Sequence, residues 1–97
     1  MTKQEAMDLE TKCDELMSQY TKEDCSVSMA LTGRLKVYFD DDFITLNKDR
    51  TVHHVSFTGF YSDLEEYISK IVKCIEDNED LFEQLMWSYE HISELED

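Results

Sequence analysis

The segment EDNEDLFEQLMWSYEHISELED, residues Glu76–Asp97, carries nine carboxylates and no lysine or arginine. It also carries Leu81, Phe82, Leu85, Met86, Tyr89, Ile92 and Leu95. At about 100° per residue, those seven apolar side chains fall within a sector of roughly 180°. Glu79, Asp80, Glu83, Glu90, Glu94 and Asp97 fill the remainder, and Trp87 falls among them, opposite the apolar stripe. The period predicts a helix over about 79–95 with one face for a core and one acidic face that contains an indole.

Working back from that segment, the period predicts three further units. Residues 62–77 open on Ser62-Asp63-Leu64-Glu65, which has the form of a capping box. Leu64, Tyr67, Ile68, Ile71, Val72, Cys74 and Ile75 then form a clean apolar face, so a helix over about 62–77 is expected, with Asn78 as the break. Between residues 26 and 57 the period changes to two. Val27, Met29 and Leu31 alternate with Ser26, Ser28 and Ala30, and Leu35, Val37 and Phe39 alternate with Arg34, Lys36 and Tyr38. Thr32-Gly33, Asp40-Asp41-Asp42 and Asn47-Lys48-Asp49-Arg50 supply turns, and Phe43–Leu46 and Thr51–Phe57 supply further strands. At the N-terminus, Thr2-Lys3-Gln4-Glu5 forms another capping box. Ala6, Leu9, Cys13, Leu16, Met17 and Tyr20 follow at helical spacing, giving a helix over about 3–21 with Met7 off its stripe. The expected fold is α+β in the order α-β-β-β-α-α. A small antiparallel meander of three or four strands packs against an N-terminal helix and a C-terminal helical hairpin, all in one domain over 1–97. Whether residues 26–31 pair in the sheet stays open at this point.

The charge is large and polarised. The formal net charge is −14 over 97 residues, against roughly 2 to 8 for an ordinary small domain. Residues 1–25 hold seven acids and three bases, residues 26–61 hold four of each, and residues 62–97 hold twelve acids against Lys70 and Lys73. Such a chain repels nucleic acid and anionic lipid and attracts basic surfaces. Its five Phe, five Tyr and one Trp separate it from acidic disordered chains, which are poor in aromatics. Three cysteines, Cys13, Cys25 and Cys74, share no close spacing and predict free thiols in a reducing compartment. With no secretory leader pattern after Met1 and no long apolar run, a cytoplasmic protein is expected.

Motifs for chemistry are missing. Asp40, Asp41, Asp42 and Asp49 lack the spacing, central Gly and closing Glu of a calcium loop, and a hairpin turn is the expected role. His53 and His54 are adjacent on a strand, so they point to opposite faces and cannot share one ion. No spaced Cys or His pairs suit zinc. No nucleophile motif or glycine-rich phosphate loop is present. The expectation is a protein that is not an enzyme and that uses no cofactor and no metal.

The order α-β-β-β-α-α at very low pI resembles the small phage-encoded anti-CRISPR proteins that act as DNA mimics. The resemblance includes the acidic helical segments Asp63-Leu64-Glu65-Glu66-Tyr67-Ile68-Ser69 and Glu79-Asp80-Leu81-Phe82-Glu83. It is closest to inhibitors of type II Cas9, whose acidic surface occupies the site that reads the protospacer-adjacent motif. Inhibitors of type I surveillance complexes share a comparable plan. The resemblance is one of layout and charge; no motif is shared. It implies an inhibitor in the host cytoplasm whose partner is a basic nucleic-acid-binding protein, a CRISPR effector or nuclease, with no direct contact to nucleic acid or membrane. The expected contact residues are Asp77, Glu79, Asp80, Glu83, Trp87, Glu90 and Glu94, with Asp40, Asp41 and Asp42 as a second acidic patch. Two other readings remain: an immunity protein that neutralises a nuclease toxin, and a homo-oligomeric adaptor with a seam at Trp87, Met86 and Met7. The molecule is expected as a monomer or homodimer.

Overall fold

In a computed structural model that describes residues 1–29 and 33–96, helix α1 (Lys3–Thr21) leads into strands β1 (Cys25–Met29), β2 (Leu35–Phe39), β3 (Asp42–Leu46) and β4 (Val52–Ser56). Helices α2 (Tyr61–Asp77) and α3 (Glu79–Glu90) follow, and after α3 comes a 3-10 turn over Ile92–Glu94. The fold is α+β. The four strands form one antiparallel meander in the order β1-β2-β3-β4, so residues 25–29 do pair. Ala30 and Leu31, which the sequence assigned to a strand, Thr32, assigned to a turn, and Asp97, assigned to the acidic face, lie outside the described residues. No helix among the described residues is long and apolar enough to cross a membrane.

The register sorts the sheet into two faces. Val27, Val37, Ile44 and Val55 align on the inner face, with Met29, Leu35 and Leu46 beside them. Val37 and Ile44 are fully buried. The outer face aligns Ser26, Tyr38, Phe43 and Ser56, then Ser28, Lys36, Thr45 and His54. It carries no carboxylate, and the Lys36 ammonium lies 4.1 Å from the Phe43 ring centre. All three helices supply the core against the inner face: Leu9, Cys13 and Met17 from α1, Ile71, Cys74 and Ile75 from α2, Phe82 and Leu85 from α3. Burying these side chains contributes roughly 1.5–3 kcal/mol each for the larger aliphatic and aromatic ones. Tyr67 stacks on Phe39 at 5.3 Å and fixes α2 to the sheet, while its hydroxyl donates to Glu23 at 2.7 Å.

The N-terminal capping box forms as read: Glu5 N–H donates to Thr2 Oγ1 at 3.1 Å, and the Glu5 carboxylate accepts from the Thr2 N–H. The second box does not. Helix α2 starts at Tyr61 with Phe60 as its cap, and the Phe60 carbonyl accepts from the Asp63 and Leu64 N–H groups. That backbone entry places Ser62 inside the first turn, where its side chain caps nothing. Asn78 is not left-handed (φ −130°, ψ 40°), and its amide donates to the Cys74 carbonyl at 2.9 Å, closing α2 instead of capping α3.

The last helix is shorter than its apolar period implied. It ends at Glu90, five residues before the expected end at 95, and Glu94 lies on the 3-10 turn. Acids at a helix C-terminus oppose its dipole, and no base offsets them in the last turn of α3. Tertiary bonding completes the effect: the Glu96 carbonyl accepts the Lys3 N–H at 2.7 Å, and Leu95 is buried. The chain tightens into a 3-10 turn to reach that position.

Candidate functional site

Helix α3 buries Phe82, Leu85 and Ser88 and leaves Glu79, Asp80, Glu83, Trp87 and Glu90 exposed. Trp87 keeps 47% of its surface in solvent. Its indole stacks on His91, with ring centres 4.4 Å apart and planes 18° from parallel, and His91 Nδ1 lies 2.9 Å from the Trp87 carbonyl oxygen. One indole face is thus held while the rest is presented among carboxylates. With a rise of about 1.5 Å per residue, the acids and the indole recur every 4.5–6 Å along the helix.

Within this strip the carboxylates differ in what they already hold. The turn between β3 and β4 sends two cations across the sheet end. Arg50 binds Glu79 and lies 3.8 Å from Glu76, and Lys48 lies 3.5 Å from Glu90. Asp77 accepts from the Tyr20 hydroxyl at 2.9 Å and from Lys73 at 3.2 Å; the tyrosine bond first, then the lysine, holds its carboxyl below the ordinary value. Asp80 and Glu83 have no ion-pair or hydrogen-bond partner among the described residues. Glu94 is exposed beyond the helix.

The Asp40–Asp42 group is separate. Asp40 and Asp41 sit exposed on the β2–β3 turn, with Asp40 at φ 53°. That turn is at the far end of β3 from Lys48 and Arg50, about 16 Å away at roughly 3.3 Å per strand residue. Asp42 is half-buried and accepts from the Thr58 N–H and hydroxyl at 3.3 and 3.0 Å. It ties down the connection into α2, and the two acidic patches do not meet.

The strip instead continues around the corner between α2 and α3. Glu76, Asp77, Glu79 and Asp80 line an open groove there together with Leu16, Leu81 and Lys12 of α1. The sequence named Asp77, Glu79 and Asp80 of this corner as contact residues; it left out Glu76 and gave no sign that Lys12 and Leu16 of α1 would share the groove. It also missed the reach of Lys48 and Arg50, for which a turn carrying two cations is the sole sequence trace. Among the described residues no three His, Cys, Asp or Glu side chains are grouped to hold a metal. No family model, curated protein or solved structure matches the chain.

Proposed function

We propose that this protein is a non-enzymatic inhibitor that mimics nucleic acid and occupies the basic channel of a CRISPR effector or a related nuclease. The observation that carries this reading is the strip Asp80, Glu83 and Trp87: two exposed carboxylates that make no hydrogen bond or close ion pair among the described residues, Glu83 acting on Arg50 only through its charge, beside a half-exposed indole held by a stacked histidine. Duplex DNA offers one negative charge per about 1.7 Å of axis, and proteins that hold it line the groove with Lys and Arg. A rigid acidic helix competes for the same cations, and long-range attraction speeds its approach. The indole supplies the apolar anchor that dominates such contacts once buried. Asp80, Glu83 and Trp87 form the centre of the contact. Glu76, Asp77, Glu79 and Glu90 surround it, exchanging their present partners for those of the target.

The test is competition. Type II and type I effectors are incubated with target DNA and increasing wild-type protein, and DNA binding is read by filter or gel. The expected result is inhibition by wild type that weakens as salt rises. Inhibition by Asp80→Lys/Glu83→Lys should fall by more than tenfold, about 1.4 kcal/mol. Failure of wild type to block any effector, or equal inhibition by the reversed variant, overturns the proposal.

A further inference from the structure

The sheet has two outer edges, and the chain treats them differently. At β1, helix α1 closes the edge with side chains: Asp14 Oδ1 accepts the Val27 N–H at 2.6 Å, and Ser18 Oγ accepts the Cys25 N–H at 2.9 Å. Cys25 and Val27 alternate with Ser26 and Ser28, so these two donors lie on the side of β1 that faces away from β2. At β4 nothing equivalent exists among the described residues: the hydrogen bonds that reach Val52–Ser56 from another element come from β3. An open edge is a row of unpaired backbone donors and acceptors on which a further strand can add. Edges are commonly blunted with Lys, Pro or inward charge, and β4 reads Val-His-His-Val-Ser. Its blunting feature is the bulge that sets His53 outside the ladder with β3, which keeps the straight run short and an added strand reversible. Val52, His53 and His54 are all exposed.

Charge selects the occupant. A basic partner is drawn to the helices, since residues 62–97 carry twelve acids and two bases. Residues 26–61, which contain the whole β2–β4 meander, carry four of each sign, and β4 itself carries no Asp, Glu, Lys or Arg. Two copies of a −14 molecule repel least when they approach through this neutral side. An antiparallel edge is also self-complementary about a two-fold axis, the commonest symmetry of soluble dimers. We infer that β4 pairs antiparallel with β4 of a second copy, joining the two sheets into one.

The inference stands apart from the proposed inhibition, and salt separates the two. Raising ionic strength shortens the screening length from about 10 Å at 0.1 M to about 3 Å at 1 M. That weakens a contact with a basic protein but strengthens the association of two acidic ones. Sedimentation equilibrium is run up to about 1 mM protein, enough to populate a dimer of millimolar Kd. Wild type should move from 11.5 kDa toward twice that mass, more so at 1 M salt than at 0.1 M. Two variants each add two positive charges and so reach the same net charge. Val52→Lys/His53→Lys should stay monomeric, although its lower net charge reduces overall repulsion. Met7→Lys/Ile92→Lys, two exposed apolar residues that share a shallow pocket between α1 and the end of α3, should dimerise as wild type does. Amide exchange on wild type provides a readout without substitution: β4 protection should rise with protein concentration. A monomer at every concentration and salt overturns the inference. So does a dimer that survives the β4 variant, or one that the Met7/Ile92 variant abolishes.

Discussion

Replacing Asp14 with Ala opens the protected edge of the sheet, and the structure sets the size of the effect. The Asp14 carboxylate accepts the Val27 N–H at 2.6 Å, and the Val27 side chain beside it is 1% exposed. A hydrogen bond to a charged group contributes about 1.5–3 kcal/mol, and a buried donor left without a partner costs a similar amount. Against this stands the carboxylate's own desolvation. Burial raises the Asp14 pKa above 3.8 despite the opposing hydrogen bond from Val27, with Glu10 and Glu15 adding to the rise. Removing the side chain relieves that cost, so the expected net loss is about 1–2 kcal/mol, or roughly 5–15 °C in Tm for a domain of this length. Ser18→Ala, which removes the neighbouring acceptor of the Cys25 N–H, should cost about 1 kcal/mol.

Asp14→Asn separates acceptor from charge, because the amide oxygen can still receive the Val27 N–H. The folded state binds the Asp14 proton more tightly than the unfolded state does. The contribution of this group is therefore greatest below pH 3.8 and declines as pH rises through the raised folded value. Asn has no such titration, so its stability relative to wild type should improve as pH climbs out of the carboxylate range. Urea titrations of wild type, Asp14→Ala, Asp14→Asn and Ser18→Ala at acidic and neutral pH read all of this as shifts in the midpoint. An Ala variant as stable as wild type would falsify edge closure by α1. An Asn variant that loses ground as pH rises would refute the electrostatic part.

Leu85 is completely buried where α3 meets the core, so Leu85→Ala should cost about 2–5 kcal/mol by denaturant titration. All three cysteines are buried and free. Burial chiefly, then Asp14, pushes Cys13 up to about 12, and burial chiefly, then Asp77, does the same to Cys74. A thiol reagent at neutral pH should therefore label no cysteine rapidly until denaturant is added. Alkaline stability follows from the same groups. Folded values near 12 against 9.0 for the thiols mean that their contribution is intact below pH 9 and is lost as pH rises toward 12. Tyr89, raised to about 12 by burial and by its bond to Glu10, adds to this loss above pH 10. The urea midpoint should fall steadily from pH 9 upward, and a flat profile would contradict the burial of these groups.

What the sequence disclosed depends on the range of the interaction. The Thr2–Glu5 box lies within four residues and was legible; so were the helical periods of α1 and α2 and the alternation of β2. The position of Trp87 opposite Leu85 and Tyr89 was legible from an angle of about 100° per residue, but its exposure was not, because a second layer over that face would have buried it; the structure leaves it 47% exposed. The end of α3 was not legible either. Its apolar period continues through Ile92 and Leu95, yet the helix stops at Glu90, and the residues beyond it turn so that the Glu96 carbonyl meets the Lys3 N–H at the other end of the chain. The same limit hid the ion pairs. Nothing near Glu79 or Glu90 announces that Arg50 and Lys48 will arrive from a hairpin turn. Those pairs move the centre of the candidate interface toward Asp80 and Glu83, but they do not remove Glu79 and Glu90 from it. Lys48, Glu79 and Glu90 are about half exposed or more, and exposed pairs of this kind are worth about 0–1 kcal/mol. Under the proposed function, a partner's arginine would replace Lys48 at little cost, whereas Arg50, 30% exposed and shared between Glu76 and Glu79, would be displaced less readily.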